Sequence, residues 1–239
     1  MKKSLRLAVI GSLAVTGMFI GSVASAATFN FADMASEPGD PNYFGEMGFS
    51  TLTVTVDGIT VNATGTDNAD YLTYLADPGS YAGSLNNYSA YLDGISSGRK
   101  AGLGVCKVLT SGDQCDPSSD DNATAGEVLI LDFGQELTIS DLFFRDAQHF
   151  TFPDNTTEDF SLFIDGSFVG IFTYGSPLLS SFTGTEFAFA ADDFSDGRFV
   201  ADNDQFYISN VSAVPLPAAV WLLGSALGGL GFMRRRNTK

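Results

Sequence analysis

Basic residues are almost missing from the middle of this 239-residue sequence. Of its 12 Lys and Arg, only Arg99, Lys100, Lys107, Arg145 and Arg198 fall between Ala27 and Ala213, whereas all 28 Asp and Glu lie there, giving that stretch a formal charge of −23. A nucleic-acid partner is excluded, because nothing in it can neutralise phosphates and release their counterions. Histidine is scarcer still: His149 stands alone. That excludes a His-rich metal signature, and in Asp146-Ala147-Gln148-His149-Phe150 the residue reads as a loop position at a strand end rather than a catalytic base. The sequence also lacks a nucleophile elbow and a phosphate-cradling glycine loop. With 28 acids, no single pair of carboxylates is selected for glycoside hydrolysis. A non-catalytic protein is expected. Helical periodicity is absent outside the termini, as are fixed-period repeats and low-complexity linkers.

What is present is apolar and aromatic. With 21 Phe, 26 Gly and 44% hydrophobic residues, the chain has the composition of a folded protein, not a disordered one. Leu52, Val54 and Val56 alternate with threonines up to Asp57-Gly58, after which Ile59 and Val61 resume the alternation. Phe160, Leu162 and Ile164 rise in the same way to Asp165-Gly166, and Phe168 to Tyr174 return. Alternation around Asp-Gly is the strongest short-range hairpin signal. Glu127 to Phe133, Leu137 to Phe144, Thr185 to Ala191 and Gln205 to Val211 read as further strands. The expected fold is all-β: eight to ten strands in a two-sheet, antiparallel, jelly-roll-like β-sandwich spanning residues 27–213, with phenylalanines filling the middle.

The two ends carry the remaining bases. Residues 1–26 open with Lys2, Lys3 and Arg6, continue through an apolar run from Leu7 to Ile20, and close on Ala24-Ser25-Ala26. A positive start, a short apolar centre and small residues before the cut are what a secretory signal peptide needs, so cleavage after Ala26 and export through the inner membrane are expected. Residues 214–239 begin Val214-Pro215-Leu216-Pro217, run uncharged from Ala218 to Met233, and end on Arg234-Arg235-Arg236 and three further residues. As a helix, that apolar stretch would be a single short transmembrane segment with the arginines on the cytoplasmic side.

Val214-Pro215-Leu216-Pro217-Ala218-Ala219-Val220-Trp221-Leu222-Leu223-Gly224-Ser225, followed by the basic end, resembles the PEP-CTERM sorting signal of Gram-negative bacteria that make exopolysaccharide. Leu216 stands where that family has its central glutamate. The stretch from Gly102 to Asp146 is more loosely similar to the bodies of such proteins. The resemblance implies a substrate of an exosortase-type membrane peptidase. Such a substrate is held in the inner membrane before processing and reaches the cell surface or extracellular space afterwards, in association with exopolysaccharide or biofilm. The sorting residues it implies are Val214, Pro215, Leu216, Pro217, Arg234, Arg235 and Arg236.

Within the body, Cys106 and Cys115 are the only cysteines, and in an exported chain their spacing favours a disulfide. Asp120, Asp121, Asn122 and Glu127 form the densest run of hard oxygen ligands and are candidates for a structural calcium ion, the alternative being a solvated acidic surface. Asp192-Asp193 and Asp202-Asn203-Asp204 are lesser candidates, and no other cofactor is expected. Tyr71, Tyr74, Tyr81, Tyr88 and Tyr91 lie in a region without clear periodicity, where they form either a sugar-stacking face or half-buried covers for a sheet. Two other function classes therefore stand beside the sorted surface protein: a secreted carbohydrate-binding or carbohydrate-cleaving module, and a calcium-stabilised structural adhesin.

Overall fold

The computed structural model describes residues 25–77, 85–153, 156–175, 181–201 and 204–215. The expected signal peptide up to residue 24, Tyr81, Asp202, Asn203, Leu216, Pro217, the apolar tail and Arg234 to Arg236 lie outside the described residues.

In chain order the strands are β1 (Ala27–Phe29), β2 (Met47–Phe49), β3 (Leu52–Val56), β4 (Ile59–Asp67), β5 (Ser89–Ser96), β6 (Arg99–Cys106), β7 (Glu127–Arg145), β8 (Asp159–Ile164), β9 (Ser167–Thr173), β10 (Phe182–Ala190), β11 (Asp193–Ser195), β12 (Arg198–Val200) and β13 (Tyr207–Pro215). Two short helices interrupt them, α1 (Phe31–Ser36) and α2 (Asn68–Ala76). The protein is mostly β and its strand pairs are antiparallel, an arrangement consistent with a β-sandwich.

The strand count exceeds the eight to ten expected, and eleven strands form one continuous hydrogen-bonded network instead of two separate sheets. Its order is β2–β5–β6–β13–β7–β10–β8–β9, with β1 beside β13 and the β3–β4 hairpin on β7. The join is β7. Read as two strands in the sequence, it is a single element of 19 residues that passes through Gly134, whose φ of 61° bulky residues rarely adopt. Before that glycine β7 pairs with β4, and after it with β13.

Alternation along β7 separates two cores. Leu129, Leu131 and Phe133 face the main core, which also takes in Phe144, Phe160, Phe189 and Phe206. The rings of Phe144 and Phe160 lie 4.8 Å apart, so phenylalanines do fill the middle. Val128 and Ile130 face the other way, onto a smaller cluster with Tyr71 of α2 and Phe163 of β8. With both faces buried, the segment Val128-Leu129-Ile130-Leu131 reads as a continuous apolar run.

Helix α2 and strands β5 and β6 were not anticipated, since the region from Asp67 to Ala125 reads as irregular. The side chain of Asp67 caps α2 by accepting the Asp70 N–H at 2.8 Å. Strands β5 and β6 are buried on both faces, so they show no alternation. Gly104 is required there, because a Cβ would collide with the backbone of Asp121 and Asn122. The described tyrosines of this region do not make one exposed face. Tyr71 and Tyr91 are buried, the Tyr74 hydroxyl donates to Glu186 at 3.3 Å, and Tyr88 packs against the main core.

Candidate functional site

The first two residues of the expected sorting motif, Val214 and Pro215, lie in β13. Strand β1 pairs with β13 in the register Ala27↔Ala213, Thr28↔Ser212 and Phe29↔Val211. On its other side β13 pairs with β7 through Val214↔Thr138 and Pro215↔Leu137. The strand therefore extends past residue 213, and Val214 and Pro215 are strand residues. Proline tolerates the place because it is the last residue of the strand, where its fixed φ suits an extended chain. Among the described residues no helix is long and apolar enough to cross a membrane.

Cys106 and Cys115 are joined in a disulfide, both sulfurs buried beside Tyr91. Past this loop the four candidate calcium ligands diverge. The Lys107 ammonium lies 3.0 Å from Glu127 Oε1 and 3.4 Å from Asp120 Oδ1, occupying the place between the two carboxylates that a cation would take. Glu127 is fully buried; burial pushes its carboxyl up to about 8, against the Thr124 N–H and the pull of Lys107. Asp121 turns away to accept the Tyr207 hydroxyl at 2.6 Å. Asn122 donates from Nδ2 to Gln205 at 3.2 Å. Of the lesser candidates, Asp192 accepts the Gly126 N–H and Asp204 the Asp159 N–H. Among the described residues no three His, Cys, Asp or Glu side chains converge as a metal site.

Sequence reasoning missed the cluster around His149. This residue sits just past β7 with a φ of 67°. Its Nε2 lies 2.8 Å from Asp93 Oδ2 of β5, and its Nδ1 lies 3.2 Å from the carbonyl oxygen of Arg99. Both ring nitrogens face acceptors, an arrangement that favours the protonated ring, which can donate to both. Burial alone would lower its pKa, but the Asp93 hydrogen bond, the Arg99 carbonyl and the charges of Asp93 and Asp121 raise it. Tyr207 of β13 stands edge-on to the ring at 5.4 Å. Burial pushes Asp121 up to about 6, against the Tyr207 hydrogen bond and together with the nearby Asp93 charge.

These groups line a cleft of about 480 Å³ whose wall includes Gln148 and Gln205. A second hollow of about 250 Å³ shares Ala147, Gln148 and Gln205 with it and adds Asp146 and Glu158. The partners come from β5, the loop before β7, the loop after β7 and the start of β13. No local spacing could reveal them; the one signal was a solitary histidine.

No family model matches the chain, and neither a curated protein nor a solved structure matches it.

Proposed function

We propose that this protein is an exported, non-catalytic, jelly-roll-like β-sandwich, sorted and processed through its C-terminal signal by an exosortase-type membrane peptidase. The inner membrane holds it through the apolar tail before processing, and the body then takes its place at the cell surface or in an exopolysaccharide matrix. The observation that carries the reading is the order of features at the C-terminus: a Val-Pro-Leu-Pro motif, sixteen uncharged residues from Ala218 to Met233, and three arginines. The resemblance of that order to PEP-CTERM tails supplies the peptidase as partner.

The register of β1 on β13 supports it, because Ala27 and Ala213 are opposite one another. Both removable segments then join the body at neighbouring strand ends, the start of β1 and the end of β13, and cutting them leaves every described strand intact. Deleting Leu216 and Pro217, which spares β13, tests the reading in the native cell. Uncleaved, membrane-bound protein should accumulate; normal release of the deletion variant would overturn it.

A further inference from the structure

The sheet ends on one side in β9, and that edge is bare. Among the described residues β9 has seven residues and pairs only with β8, which makes it the longest strand with a single neighbour. An edge of that kind offers a row of unpaired N–H and C=O groups to another strand. The opposite end of the sheet is built differently. Strand β2 has three residues, and the loop after β6 covers it: the Gly48 N–H donates to the Asp113 carbonyl at 2.8 Å, and the Gln114 side chain donates to the Glu46 carbonyl at 2.8 Å.

Three apolar side chains of β9 face solvent: Phe168, Val169 and Ile171 are 42%, 44% and 42% exposed. No charge interrupts the strand, Ser-Phe-Val-Gly-Ile-Phe-Thr, in a body whose formal charge is −23. A bulge is a common way to spoil an edge, but here the extra residue, Val169, is itself apolar. The patch continues onto the β11–β12 hairpin, where the Phe194 ring lies 4.9 Å from Phe168 and 5.2 Å from Phe199. That hairpin also carries Arg198. Of the other bases in the body, Lys100 and Lys107 hold carboxylates, Arg145 donates to the His149 carbonyl and Arg99 lies over the Phe150 ring. Arg198 is exposed and has no ion pair among the described residues.

We propose that two copies of this chain associate edge to edge along β9 about a two-fold axis. Charge selects a second copy as the occupant: two bodies this acidic repel wherever their carboxylates face each other, and along β9 they can meet without that repulsion. Arg198 of each copy then gains the acidic surface of the other. A two-fold contact must be self-complementary, and an uncharged apolar strand antiparallel to its own copy meets that condition. One strand and one hairpin make a small contact, so the association is weak and depends on concentration. It stands apart from how the tail is processed.

Sedimentation equilibrium of the full chain in mild detergent, over about a hundredfold range of concentration, tests this. The mass should rise from one copy towards two. Val169→Lys and Ile171→Lys should each weaken dimerisation about tenfold or more, because a two-fold contact brings the new charge close to its own copy. The control is Val108→Lys, at an exposed position in the loop that covers β2. A lysine lowers the net negative charge and on that ground alone favours association, so this variant should dimerise at least as well as the parent. Hydrogen exchange on the parent needs no substitution: amides of residues 167–173 should exchange more slowly as concentration rises, and those of β2 should not change.

A parent that stays at one copy would overturn the proposal, as would β9 lysine variants that associate as the parent does, the result expected if the apolar tail drove assembly. Exchange at residues 167–173 that ignores concentration would overturn it too. So would growth past the dimer, since the edge would then be meeting a different surface.

Discussion

Ala27 and Ala213 face one another across β1 and β13, so the first and last described strands of the body close the sheet side by side. Only three residues hold β1 in place, and Phe29 is its anchor. Its ring lies 5.8 Å from Phe133 and 6.3 Å from Phe31, with no exposed surface. Phe29→Ala should therefore cost about 3–5 kcal/mol, read as a fall in the denaturant midpoint. A change below about 1 kcal/mol, the size seen at ordinary surface positions, would mean that β1 is not part of the stable fold.

Reduction should weaken the body by a known route. Replacing Cys106 and Cys115 together with Ser removes a crosslink of sequence separation nine. The loop-entropy model puts the loss at about 2.5–3 kcal/mol, measurable by chemical denaturation with and without reductant. The double variant should be insensitive to reductant; an unchanged midpoint in the oxidised parent relative to the variant contradicts the bond's structural role.

Lys107 stands in for a cation between Glu127 and Asp120. Calcium and chelators should therefore leave the melting temperature of the parent unchanged, and a fall on chelation would relocate the metal question to this loop. Without the ammonium, Glu127 keeps its proton more strongly, because the desolvated carboxylate has lost its cation. Lys107→Met should thus be more destabilising in mildly alkaline buffer than in mildly acidic buffer.

Stability should fall as pH rises from the acidic side. Burial raises Asp121 and Glu186 to about 6 from ordinary values of 3.8 and 4.5, with the neighbouring Tyr207 and Tyr74 hydrogen bonds opposing. Between those ordinary values and 6, the folded chain holds protons that the unfolded chain has released, so each unit of pH in that window favours unfolding. His149 acts in the same direction. Its raised pKa makes its contribution complete below the ordinary value of 6.5 and lost as pH climbs through the folded value. Denaturation midpoints measured across the acidic to neutral range should decline, less so in Asp121→Asn. A rising midpoint contradicts the assignment.

The hairpins show what the sequence could disclose. Asp57-Gly58 and Asp165-Gly166 both turn with positive φ at both residues, as Asp-Gly between alternating strands requires. Ser97-Gly98 and Asp196-Gly197 turn in the same way, yet their hairpins were not anticipated. In the first, β5 and β6 are buried on both faces and carry no alternation; in the second, β11 and β12 have three residues each. The disulfide was legible because its two partners are close in sequence. The Asp93–His149 pair was not, since it joins a strand to a loop far away in the chain and depends on a left-handed residue after β7.

The central claim concerns the tail, and mass spectrometry of the C-terminus of protein collected outside native cells tests it most directly. The account predicts chains that keep β13 through Pro215 and end within a few residues of Pro217. Extracellular protein that still carries Trp221 and Arg234 to Arg236 would contradict it.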